Sequence, residues 1–105
     1  MSELIQEIQS EEEFTDATKS GIVLVDFFAP WCGPCRMQGP ILHQLATELG
    51  EKVKIIKVNV DNFQGLSQKL EISSIPTLFL YKDGNIARRF VGLQQEMTLK
   101  NAING

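Results

Sequence analysis

The segment Ile22-Val23-Leu24-Val25-Asp26-Phe27-Phe28 constrains the fold more than any other. A strand with one wet face alternates apolar and polar residues. This run has no side to give to water, so it marks a strand covered on both faces. Val53 to Val60 reads as a second such strand. Strands covered on both faces need helices above and below, and the intervening segments supply them. Leu4 to Ile8 reads as a short strand, and Ser10 opens a capping box with Glu13. Glu11, Glu12 and Glu13 fill a first helical turn, where negative charge suits the macrodipole. That helix ends near Lys19. A longer helix is predicted from Cys32 to Leu49, with Leu42, Leu45, Ala46 and Leu49 as its apolar stripe. A short helix carrying Phe63, Leu66 and Leu70 follows a cap at Asp61 or Asn62. Thr77 to Tyr81 and Ile86 to Val91 form a hairpin around Asp83-Gly84, and Gln95 to Ile103 is a last, weakly capped helix. The order β-α-β-α-β-α-β-β-α predicts an α/β fold, a mixed sheet with helices on both faces.

A chain of 105 residues is expected to form one domain, spanning residues 1–105. Leu, Ile, Val and Phe supply 33 of the residues, enough for a core without staples. A net charge of −3 offers no electrostatic footprint for nucleic acid or anionic lipid. No apolar stretch approaches the ~18 residues of a membrane helix. The opening segment, Met1 to Glu7, lacks the basic and apolar regions of a secretory signal, so a cytoplasmic location is expected.

The only cysteines are Cys32 and Cys35, in Trp31-Cys32-Gly33-Pro34-Cys35. A disulfide between them closes almost the shortest loop available, a poor source of stability. Zinc needs about four ligands and this pair supplies two. The one histidine, His43, lies inside the predicted helix and off its apolar stripe, and there is no second CxxC, so no metal is expected. Arg36 after Cys35 excludes c-type haem attachment. Redox chemistry between the two thiols remains. Residues i and i+3 on a helix place their Cα atoms about 5 Å apart, inside the roughly 4.4–6.8 Å that disulfides tolerate. The pair can therefore open and close with little backbone movement. Cys32, at the helix N-terminus, is the candidate thiolate and nucleophile. Pro34 suits a first turn, and Gly33 lets another backbone approach. Cys35, one turn deeper and expected to be less exposed, is the candidate resolving thiol.

Asp26 is the one charge within its apolar run. Burial would raise its pKa, making it a proton donor and acceptor near neutrality. Lys57, inside the second buried run, is a candidate charge partner or else a solvated lysine at an edge. Both readings stay open. Trp31, beside the nucleophile, reads as a partly exposed contact residue.

These residues together resemble the thioredoxin family. Trp31-Cys32-Gly33-Pro34-Cys35 is similar to that family's active-site motif, and Val25-Asp26-Phe27, Pro40, Lys57, Ile75-Pro76-Thr77, Asp83-Gly84 and Val91-Gly92 fall where the family has its marks. The resemblance covers essentially the whole chain. It implies a five-stranded sheet in the order 1-3-2-4-5 flanked by four helices. It implies that Cys32 attacks a substrate disulfide, Cys35 resolves the mixed disulfide and Asp26 accepts a proton. It further implies a cis peptide bond before Pro76, and a docking surface made of Trp31, Gly33, Pro34, Ile75, Pro76, Val91 and Gly92. The expected activity is that of a general protein disulfide reductase without a cofactor, acting as a monomer on disulfide-containing proteins. Electrons would come from a thioredoxin reductase, which would hold the NADPH and flavin. The competing readings are a dithiol oxidant or isomerase, and a binding subunit that does not use its thiols. Three residues depart from the family pattern. Phe28 stands where Trp is frequent, and Gln38 and Gly39 replace more usual apolar and small residues before Pro40 and are expected to loosen the kink there, since Gly costs up to about 1 kcal/mol in a helix.

Overall fold

The computed structural model describes residues 4–105. Met1, Ser2 and Glu3 of the opening segment lie outside the described residues. The elements are β1 (Ile5–Glu7), α1 (Glu11–Thr18), β2 (Ile22–Phe28), α2 (Gly33–Leu49), β3 (Lys54–Asn59), α3 (Gln64–Lys69), β4 (Thr77–Lys82), β5 (Asn85–Val91) and α4 (Glu96–Asn104). A single 3-10 turn, Gly50–Lys52, follows α2. The sheet order is β1-β3-β2-β4-β5, as the resemblance implied. β2 lies at the centre, parallel to β3 and antiparallel to β4.

The apolar run of β2 is shared between two cores. Leu24 packs with Ile55 and Leu80 against Leu42 and Leu45 of α2 and Leu99 of α4. Val23, Val25 and Phe27 pack on the opposite side with Phe79, Phe14 of α1 and Leu66 of α3. Phe27 and Phe79 meet edge-on, with ring centroids 5.1 Å apart. Each fully buried side chain of this size contributes about 1.5–3 kcal/mol. The period-2 alternation has one further result: Asp26, in phase with Leu24 and Phe28, lies on the α2 side of the sheet.

Local chemistry sets the element ends. Ser10 Oγ accepts from the Glu13 N–H at 3.0 Å, as the capping box requires. Glu13 Oε1 reaches one residue further back than expected, accepting from the Gln9 N–H at 2.7 Å. Ser10→Ala is expected to lower stability by about 1 kcal/mol, read as a lower urea midpoint with an unchanged m-value. Asp83 and Gly84 have φ values of 51° and 89°, the left-handed pair that a two-residue hairpin turn demands. Asp83 also accepts from and donates to the backbone of Gly21, fastening the hairpin tip to the start of β2.

Neither Asp61 nor Asn62 caps α3. Its N-cap is Phe63, without a side-chain hydrogen bond. The Asp61 carboxylate is occupied by the Trp31 indole, and the Asp61 N–H donates to Asn59 Oδ1.

Candidate active site

α2 begins where β2 ends, so the chain must turn sharply at the carboxyl end of the central strand. Ala29-Pro30-Trp31 makes that turn, and the Cys32 N–H donates to the Ala29 carbonyl at 3.2 Å. Cys32 is extended and forms the N-cap of α2, so the helix proper starts at Gly33, one residue later than predicted. The Cys32 Sγ accepts from the Cys35 N–H at 3.2 Å. A thiolate at this sulfur therefore receives a backbone donor and the positive end of a helix. Cys32 and Cys35 are joined as a disulfide with Cα atoms 5.2 Å apart, the spacing predicted from i and i+3 on a helix.

The cysteines do not differ in exposure as expected. Cys32 is 6% exposed and Cys35 5%. Both pack with Phe28 and Ala29, and Ile75 lies against the same cluster. What separates them is their surroundings. Cys32 Sγ lies 3.8 Å from the Ile75 carbonyl oxygen, next to the cis Ile75–Pro76 bond. Cys35 lines a cavity of about 240 Å³ shared with Phe28, Arg36 and Lys57.

Asp26 is fully buried, and neither carboxylate oxygen has a hydrogen-bond partner among the described residues. Removal from water pushes its pKa up to about 7, against a smaller downward pull from the Lys57 ammonium. Lys57 stands directly across from Asp26 in the β2–β3 register. It is half-buried on an interior strand rather than solvated at an edge. Its Nζ sits 4.1 Å from the centre of the Phe28 ring, so it influences Asp26 through space and rests on an aromatic face.

Of the implied docking residues, Trp31, Gly33 and Pro34 adjoin the cysteines in the chain and Ile75 packs against them. Trp31 is 68% exposed, and its Nε1 donates to Asp61 Oδ2 at 3.0 Å. Gly33 and Pro34 are exposed in the first turn of α2. Ile75 is half-buried and Pro76 buried. The Gly92 N–H donates to the Pro76 carbonyl at 2.8 Å, extending the pairing of Thr77 with Val91 by one step. Val91 is 67% exposed. Among the described residues, no group of three or more His, Cys, Asp or Glu is placed to hold a metal, and no helix is long and apolar enough to cross a membrane.

The family model described as thioredoxin matches residues 5–105. The chain belongs to the thioredoxin family. It is 54% identical over 97 residues to the thioredoxin of Chlamydia pneumoniae, covering 92% of this chain and 94% of that one. It is 42% identical over 95 residues to the thioredoxin of Bacillus subtilis, covering 90% and 91%. Among solved structures, a mutant thioredoxin from Halobacterium salinarum superposes with a TM-score of 0.88 at 37% identity, covering 95% of this chain and 88% of that one. Thioredoxin membership and a CxxC pair at disulfide distance make the protein a thiol–disulfide oxidoreductase with protein disulfide reductase activity. The oxidant, isomerase and binding-subunit readings are not favoured.

Against that family background, Gln38 is a polar residue buried with its side-chain amide paired. It makes two hydrogen bonds to Gln94. Gly39 faces open space: a Cβ there would meet nothing within 4 Å. Phe28 fills its position under the active-site loop and adds the contact with Lys57. Asp61 and Gln94 are the residues that sequence reasoning misses. The chain marks Asp61 only as a helix cap and gives Gln94 no role at all. No local pattern identifies either as a partner of the site.

Proposed function

We propose that Cys32 is the attacking thiolate, Cys35 the resolving thiol and Asp26 the proton acceptor of this reductase, with Lys57 tuning Asp26. The observation that carries this assignment is the Cys32 sulfur at the N-cap of α2, accepting a backbone N–H. The reaction starts from the dithiol. Cys32 S⁻ attacks one sulfur of a substrate disulfide, forming a Cys32–substrate disulfide and expelling the other substrate sulfur as a thiolate. Cys35 then gives its proton to the Asp26 carboxylate and attacks Cys32 Sγ. The Cys32–Cys35 disulfide forms and the second substrate thiolate leaves. The substrate has gained two electrons and takes two protons from solvent, and the protein has lost two electrons.

Trp31, Gly33, Pro34, Ile75, Pro76, Val91 and Gly92 hold an extended substrate segment, the backbone of Ile75 offering hydrogen bonds in the manner of an added strand. The substrates are disulfide-bearing proteins, and a thioredoxin reductase restores the dithiol. Residues 1–105 act as one domain, as a monomer in the cytoplasm.

Equilibrium titration of the Cys32–Cys35 couple against a dithiol buffer tests the direction of electron flow. The expected potential is near −270 mV, the figure known for thioredoxin itself rather than one obtained from this geometry. A value near −180 mV or −120 mV would make the protein an isomerase or oxidant, since 90 mV is about 4 kcal/mol for two electrons. Full function of a variant with both cysteines changed to serine would instead favour a binding subunit.

A further inference from the structure

Gln38 and Gln94 form a polar bridge that the thiol chemistry does not use. Gln38 lies on α2 three residues after Cys35, a position where the family resemblance leads one to expect an apolar side chain. It has no exposure to solvent. Its Nε2 donates to the Gln94 carbonyl at 3.0 Å, and its Oε1 accepts from the Gln94 N–H at 2.8 Å. The Gln94 side chain then turns back. Its Nε2 donates to the Gly92 carbonyl at 3.1 Å and to the Val91 carbonyl at 3.3 Å. Gly92 is joined in turn to Pro76, and Ile75 abuts the Cys32 sulfur.

The contacts therefore close a ring: Cys32, Ile75-Pro76, Gly92, Gln94, Gln38, and back along α2 to Cys35. Besides the bridge, the segment after β5 is tied by the Gly92–Pro76 hydrogen bond to the residue that precedes β4. Gly92 adopts φ +90°, so its backbone conformation is one that few other residues share. A fixed carbonyl orientation at Val91 and Gly92 matters only to a partner large enough to lie across them.

We propose that Gln38, acting through Gln94, is a positioning residue that holds the Val91-Gly92 segment in register with the disulfide for protein substrates. The proposal rests on the reading of Val91 and Gly92 as docking residues. It separates docking from chemistry: a small disulfide reaches Cys32 without crossing this segment.

The test measures steady-state reduction of insulin, a two-chain disulfide protein, and of 5,5′-dithiobis(2-nitrobenzoate), with dithiothreitol regenerating the dithiol. The variants are Gln38→Leu, Gln94→Leu and Val91→Asp. Gln94→Leu keeps the backbone groups that Gln38 binds and removes only the link to Val91 and Gly92. In Gln38→Leu and in Gln94→Leu, KM for insulin should rise about five-fold, the scale typical of losing a coupling contact. The kcat for insulin, the rate with the small disulfide and the reduction potential should stay as in the parent.

If Val91→Asp raises the insulin KM and folded Gln38→Leu does not, the bridge has no positioning role and the docking reading survives. If Val91→Asp leaves it unchanged, the docking reading fails and takes the proposal with it. Equal losses on both substrates, or a shifted potential, would place Gln38 in the disulfide chemistry and overturn the proposal. Should Gln38→Leu fail to fold, Gln94→Leu decides the matter by the same readouts.

Discussion

Cys32→Ser is expected to abolish protein disulfide reduction, lowering turnover by at least about a thousand-fold. The reason is positional. Cys32 Sγ is the sulfur at the helix N-terminus, where the Cys35 N–H and the dipole favour its charged form. A serine hydroxyl there has no comparable nucleophilicity, and Cys35 alone lacks the cap. Cys35→Ser should behave differently. Attack by Cys32 proceeds, but the mixed disulfide has no resolving thiol and accumulates. Incubation of each variant with disulfide-bearing protein, followed by a non-reducing gel, separates the roles. Adducts from Cys35→Ser and none from Cys32→Ser support the assignment, and the reverse pattern would exchange the two residues.

The second large effect concerns Asp26. Its carboxyl titrates near 3.8 in the ordinary state and near 7 in the folded protein, because burial opposes its charge. Between those values the native state holds a proton that the unfolded chain has released. The contribution of Asp26 to stability therefore falls as pH rises from about 4 to about 7 and is level above that. A gap of about three pH units corresponds to about 4 kcal/mol. Asp26→Asn removes the ionisation, so at pH 8 the variant should exceed the parent by up to about 4 kcal/mol in urea denaturation. At pH 3, where both carry a neutral side chain, the two should lie within about 1 kcal/mol. Equal stability at pH 8 would mean that the folded-state carboxyl titrates as an ordinary one. If Asp26 also accepts the Cys35 proton, the same variant should prolong the mixed disulfide and lose the inflection near pH 7 in its resolution rate.

Both effects trace to particular residues. Asp26 stands out as the lone charge in Ile22–Phe28, and the phase of that run puts it on the α2 side. The hairpin follows from Asp83-Gly84, because few residue pairs accept two left-handed conformations in succession. The caps are less legible. Asp61 has the right chemistry to cap α3, but its carboxylate is taken by an indole thirty residues earlier in the chain. Helix position overstates the exposure of Cys32, because it says only how deep a residue lies along α2. It says nothing of the Ile75 segment that covers it.

Periodicity, turn chemistry and the spacing of two cysteines act over a few residues, so the chain by itself determined the order of elements, the helical seat of the disulfide and the identity of the buried acid. The tertiary structure decided what lies across from what. Lys57 faces Asp26 because β3 pairs with β2 in one register. Gln38 is buried and satisfied because Gln94, 56 residues away, brings backbone groups to it. A glutamine carries the same donors and acceptors wherever it stands, and the partner that makes its burial favourable exists only once the chain has closed around it.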